Sequence, residues 1–287
     1  MLNCAAMTNP REAGAAGLRF RPGRERHALP AWIARPFAPA PDAPPLVAVH
    51  GIARDAEGMA RRLAGRALAQ GRTLVAPLFS EEAFPRYQRA VCKRRADRAL
   101  LALLDALVAE GAIPAGPVAL AGFSGGAQFA HRFAWLYPHR AGRLTLAAAG
   151  WWTFPDAAPF PYGVGPAVEG PADAHRWLRA NAPDFLDRAI TIAVGAEDCI
   201  PDANTRSGPA IDAQQGRHRL ERARRWTAAI RAASERFGLP PRARLRVLPG
   251  CGHDFQDCAD AGLDRLILPC GVGACTLDRL SRKGATR

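Results

Sequence analysis

Val118-Ala119-Leu120-Ala121-Gly122-Phe123-Ser124-Gly125-Gly126-Ala127-Gln128-Phe129 decides how this chain is read. An apolar run ends in Gly-x-Ser-x-Gly and passes directly into a helical pattern. In that order the motif reads as a nucleophile elbow, a strained strand-to-helix turn that presents a serine hydroxyl at the end of a sheet. Gly122 and Gly126 stand two residues to either side of Ser124, where a Cβ would strike the neighbouring strand or helix. Gly125 leaves the N–H after the serine open to a developing oxyanion beside a helix N-terminus. In a chain with 27 glycines the motif alone would be weak. The strand before it and the helix after it separate it from an ordinary connection.

A serine hydroxyl is barely ionised near neutral pH, so it needs a base, and the base needs a carboxylate to orient it and stabilise its cation. Of the seven histidines, only His253 stands on a glycine-rich loop after a late strand, where Arg244 to Leu248 alternate and Pro249 to Gly252 turn. His131 falls inside the helix after the elbow and reads as structural or surface. His175 and His218 lie in polar helical stretches and read as solvated. For the acid, Ala189 to Val194 read as a buried strand, followed by Gly195-Ala196-Glu197-Asp198. Asp198 is at the right distance past that strand. Asp202 reaches inward if the loop bends back after Pro201, and Asp156 is a further option; Glu197 should point the other way. Loop capping through Asx turns is the competing role for Asp198 and Asp202.

A second oxyanion donor is expected from the loop after an earlier strand. Pro45 to Val49 is that strand and His50-Gly51-Ile52-Ala53-Arg54 the loop. Gly51 permits a tight turn, and the Ile52 N–H is the expected partner of the Gly125 N–H. His50 reads as structural, its ring hydrogen-bonding the loop. Arg54 reads as a substrate contact or as a solvated arginine at a helix start.

With these segments in order, the chain resembles the α/β-hydrolase superfamily. His50-Gly51, Gly122-Phe123-Ser124-Gly125-Gly126, Gly195-Ala196-Glu197-Asp198 and Gly252-His253 carry the resemblance and span about residues 45 to 255. The elbow helix from Ala127 to Pro138 is similar to bacterial esterase-type members, including relatives of dienelactone hydrolases and polyhydroxyalkanoate depolymerases. The resemblance implies a mostly parallel eight-stranded sheet with helices on both faces and a small cap after the sixth strand. It also implies cleavage of an ester, thioester or amide through a covalent acyl-enzyme, with Ser124 as nucleophile, His253 as base and Asp198 as acid. His-Gly-Ile in place of a His-Gly-Gly-Gly run sets the chain apart from hormone-sensitive-lipase-type esterases. The acyl group is not implied, because specificity on this fold lies in variable loops.

The length of 287 residues suits one large α/β domain. Residues 1–269 read as that domain, 151–187 as a cap-like insertion, and 270–287 as a C-terminal tail. Leu100, Leu101, Leu103, Leu104 and Leu107 make an apolar stripe over Ala96 to Glu110; residues 57 to 69 and Gln215 to Phe237 repeat the helical spacing. The net charge of +13 invites a nucleic-acid reading. Lysine occurs only at Lys93 and Lys283, so the charge is almost all arginine, dispersed and without a nucleic-acid motif. A solvated basic face explains it, and its field would also draw in an anionic substrate. Nucleic acid is therefore not expected as a partner. A small-molecule ester or thioester is.

The N-terminal segment Met1 to Arg26 lacks the continuous apolar core of a signal peptide, and no stretch approaches the roughly twenty apolar residues of a membrane span. A cytoplasmic location is the expectation. Seven cysteines, an odd number, suit free thiols, with Cys251 nearest the active site. No paired Cys-x-x-Cys metal pattern occurs, and neither metal nor cofactor is expected. Trp151 and Trp152, which open the aromatic and proline-rich stretch after Ala149, are candidates for substrate-binding walls, although at least one of them should pack as core.

Overall fold

A computed structural model describes residues 17–23, 28–92, 94–166, 171 and 173–269. The tail at 270–287, most of the N-terminal segment, and Cys4, Cys270 and Cys275 lie outside them. Eight strands form one sheet: β1 (Leu18–Arg21), β2 (Ala31–Ala34), β3 (Leu46–Val49), β4 (Leu74–Pro77), β5 (Val118–Phe123), β6 (Ala141–Ala147), β7 (Ile190–Gly195) and β8 (Arg244–Leu248). The spatial order is β1-β2-β4-β3-β5-β6-β7-β8. β1 pairs antiparallel with β2, and β2 with β4, while every other pair is parallel. The elbow strand β5 is therefore central, with Gly122 opposite Val49 of β3 on one side and Leu146 of β6 on the other.

Helices cover both faces, and the strand period of two sorts the side chains between them. Val47, Val49, Leu120, Leu144, Ile190 and Ile192 point into one core. That core is shared with helices α2 (Ala96–Ala109), α3 (Gly125–Leu136), α4 (Ala174–Ala180), α5 (Ala182–Leu186) and α7 (Arg219–Arg236) on this face, with the short α6 (Pro209–Gln215) preceding α7. Ala48, Ala76, Ala119, Ala121 and Ala193 face the other way. There the small side chains admit helix α1 (Ala56–Ala69) through Ala60, Ala64 and Ala67, with the short helices α8 (Phe255–Cys258) and α9 (Asp264–Ile267) beside it.

Helix α3 is buried at all twelve positions, Arg132 and His131 included. Covered on every side, it fixes the serine at its N-terminus from behind. The helix expected from Gln215 to Phe237 starts only at Arg219, as α7. Gly216, at φ 97°, breaks the pattern, and the His218 ring accepts from the Glu221 N–H to start α7. His218 is thus a cap rather than a solvated side chain.

Trp135 anchors α3 to α4 and α5. Its ring stacks on Phe185 with centroids 4.5 Å apart, and its Nε1 donates to Leu178 O at 2.8 Å. Trp135→Ala should lower the free energy of unfolding by about 3–5 kcal/mol, read by urea denaturation. A loss below about 1 kcal/mol would show that the packing can collapse around the gap.

Candidate active site

Ser124 closes β5 and opens α3 at φ 53° and ψ −116°, a strained conformation for a residue with a side chain. Its N–H bonds Ala147 O at the end of β6 (2.8 Å), and its carbonyl accepts the first helical bond, from Gln128 (3.1 Å). A Cβ on Gly126 would run into the Val49 and His50 carbonyls, and one on Gly122 into the backbone of Gly126 and Ala127. The glycines are what let β5, β3 and α3 meet.

The loop after β3 lies against the serine: a Cβ at Gly51 would sit 3.5 Å from Ser124 Cβ. Neither the Ile52 nor the Gly125 N–H bonds to another described residue, and the Ile52 nitrogen approaches the Gly125 Cβ position to 3.4 Å. His50 holds this loop. It is buried, with Nδ1 2.7 Å from Gly51 O and Nε2 accepting from the Phe79 N–H at 3.0 Å. That pairing requires a neutral ring protonated on Nδ1, and burial pushes its pKa down to about 4. Tyr87, unnoticed in the sequence, donates from its hydroxyl to His50 O at 2.6 Å. Arg54 is half-buried and fixed by its neighbours. Its guanidinium donates to the Phe79, Phe84 and Pro85 carbonyls and lies over the Tyr87 ring.

On the far side, β7 and β8 deliver two loops that touch. Gly195 allows it, because a Cβ there would strike the Cys251 carbonyl; the Glu197 N–H bonds that same carbonyl at 3.0 Å. His253 Nε2 stands 3.0 Å from Ser124 Oγ, and His253 Nδ1 stands 2.9 Å from Asp198 Oδ2. A carboxylate at Nδ1 keeps the proton there and leaves Nε2 to accept from the serine hydroxyl. The other two acids are engaged elsewhere: Asp202 pairs with Arg219, and Asp156 accepts from the Ala158 N–H and from Gln214. Arg219, which the sequence did not single out, is buried between Asp202 and the second oxygen of Asp198.

The two tryptophans part company. Trp152 has no exposed surface. It stacks on Trp226 at 4.2 Å, beside the buried His131, and its backbone exchanges two bonds with Gln215. Trp152 is therefore core rather than a substrate wall. Trp151 lies under the Arg132 guanidinium at 4.1 Å and against Tyr162. Cys251 and Cys258 are both buried free thiols, their sulfurs 3.6 Å apart. Among the described residues no His, Cys, Asp and Glu group could hold a metal, and no helix is long and apolar enough to cross a membrane.

No protein-family model matches the chain, and no curated protein matches its sequence. Solved structures do. The poly(3-hydroxybutyrate) depolymerase LpqC from Bordetella parapertussis aligns with a TM-score of 0.72 at 27% identity, covering 94% of this chain and 96% of that one. Poly(aspartic acid) hydrolase-1 from Sphingomonas sp. KT-1 aligns at 0.71 and 22% identity, covering 86% and 96%. FphF, a fluorophosphonate-binding serine hydrolase from Staphylococcus aureus, shares the fold at 0.56 and 13% identity, covering 88% and 98%.

The buried His50 carries a pH dependence of stability. Its folded pKa of about 4 lies below the ordinary 6.5, so the unfolded chain binds the proton more readily. Stability present above pH 6.5 is therefore lost as pH falls towards 4. His50→Gln, which has no proton to take up, should show a shallower decline of the denaturation midpoint across that window. Equal slopes would remove His50 from the account.

Proposed function

We propose that this protein is an α/β-hydrolase and, within that superfamily, a serine hydrolase cleaving a carboxylic ester through an acyl-enzyme. The observation that carries the reading is the continuous contact from Ser124 Oγ through the His253 ring to Asp198, at 3.0 and 2.9 Å, on a serine held at φ 53°. Ser124 attacks the ester carbonyl while His253 Nε2 takes its proton. Asp198 holds the imidazolium in place. The tetrahedral oxygen is received by the Gly125 and Ile52 N–H groups, each worth about 3 kcal/mol in the barrier if it behaves like other oxyanion donors. His253 then returns the proton to the departing alcohol. A water, activated by the same histidine, releases the acid and restores the serine.

The substrate is a small-molecule ester or a short polyester segment. LpqC is a poly(3-hydroxybutyrate) depolymerase, and its 27% identity over nearly the whole chain favours a hydroxy-acid ester over an amide or a thioester. The net charge of +13 favours an anionic substrate by drawing it to the surface. The segment that opens at Trp151 walls one side of this site, with Trp151 contributing to its inner surface, while α4 and α5 further along pack into the main core.

A fluorophosphonate probe should label the wild-type protein rapidly and Ser124→Ala or His253→Ala not at all. Asp198→Asn should lower kcat on an activated ester by on the order of 10⁴-fold, because the wrong imidazole tautomer then faces the serine. A well-folded wild type that resists the probe would remove the hydrolase reading.

A further inference from the structure

The first turn of α7 presents an interaction that the reaction does not need. Arg219 is 1% exposed and lies between two carboxylates. Its Nη1 is 3.3 Å from Asp198 Oδ1, while its Nη2 reaches both oxygens of Asp202 at 2.8 and 2.9 Å. Asp198 gives its other oxygen to His253. A buried cation on the acid weakens the field that would stabilise a protonated imidazole, because in a poorly screened site the two positive charges compete for one negative charge. Asp202 opposes that. It takes the shorter contacts and is itself firmly ionised: burial works against its charge, yet Arg219, the Thr205 hydroxyl (2.9 Å) and the Asn204 N–H (2.9 Å) hold its carboxyl down at about 2.

We propose that Arg219 and Asp202 are a charge-setting pair for Asp198. Arg219 fixes the acid's second oxygen, and Asp202 draws the guanidinium's charge away so that Asp198 keeps enough of its own to support a protonated His253. Both are positioning residues, and their role rests on the assignment of Ser124, His253 and Asp198 above. The other charged groups nearby are Arg222 with its partner Asp212, Glu197 on the acid loop, and Asp254 and Asp257 after the histidine. Among the described residues none of them contacts Asp198 or the His253 ring. The remaining neighbours of the ring, Phe123 and Ser124, are uncharged.

The test is the titration midpoint of the His253 imidazole, followed by NMR in the free protein, together with the acid limb of kcat/KM. Asp202→Asn should lower both midpoints by about half a unit or more, and Arg219→Gln should raise them by a similar amount. Glu197→Gln serves as the control for a neighbouring charge outside the contact. A midpoint in Asp202→Asn that stays still, rises, or moves no further than in Glu197→Gln would overturn the proposal, and this arm decides alone if Arg219→Gln does not fold. The NMR midpoint needs no turnover, so an inactive wild type with these shifts would defeat the hydrolase assignment and leave the charge pair standing.

Discussion

Everything at the centre of this molecule depends on how closely the start of α3 can approach the end of β3. The Val49 and His50 carbonyls occupy the place where a side chain on residue 126 would be, so the elbow closes only if that residue is glycine. Closure brings the Ile52 nitrogen beside Gly125, and among the described residues neither N–H has a hydrogen-bond partner. It also aims the positive end of a fully buried helix at the serine. The strain in the Ser124 backbone persists because both flanks are over-determined: its N–H is tied to β6, and its carbonyl starts the helix.

The loops around this centre are held by groups outside the sheet. His50 ties the loop after β3 to Phe79, Tyr87 ties it to the segment before α2, and Arg54 bonds three carbonyls of that segment. Across the site, the Cys251 carbonyl binds the acid loop to the histidine loop, and the first turn of α7 reaches back to Asp198 through Arg219 and through the Leu220 N–H at 3.1 Å. A reacting group is only as well placed as the residues that lock it. Here each candidate group is secured from at least two segments.

The sheet and the serine, histidine and first acid candidate could be read from the sequence because each carries a local signal. Gly-x-Ser-x-Gly between strand and helix, an alternating β8 followed by glycines, and a buried β7 ending in Gly195 all show within a dozen residues. What could not be read depended on distant partners. Arg219 looks like any arginine in a helix with polar surroundings until the fold brings it against a loop 21 residues earlier. Trp151 and Trp152 are indistinguishable in sequence, yet the loop after β6 turns Trp152 onto Trp226 and Trp151 beneath Arg132. The break at Gly216 was legible, since a positive φ there favours glycine and no apolar residue stands between Ala213 and Leu220.

The basic composition also acquires a structural meaning once the burial is known. Arg132, Arg219 and Arg222 are among the largest fully buried side chains, and they are satisfied in different ways. Arg219 meets carboxylates. Arg222 combines Asp212 with the Gly150, Arg206 and Gly216 carbonyls. Among the described residues Arg132 meets no carboxylate: it donates to Thr153 and to the Gln88, Gln128 and Pro161 carbonyls. Burial, with Arg89 nearby, pushes it down to about 9, still high enough to stay charged near neutrality. A planar fork with five donors reaches several segments in fixed directions while lying flat on a tryptophan, a geometry that lysine's compact ammonium does not match. The scarcity of lysine thus matches what the interior asks of its cations. In this chain a buried guanidinium serves as a bracket between loops, and the position of the 150–161 segment over α3 follows from where Arg132 and Arg222 can be satisfied.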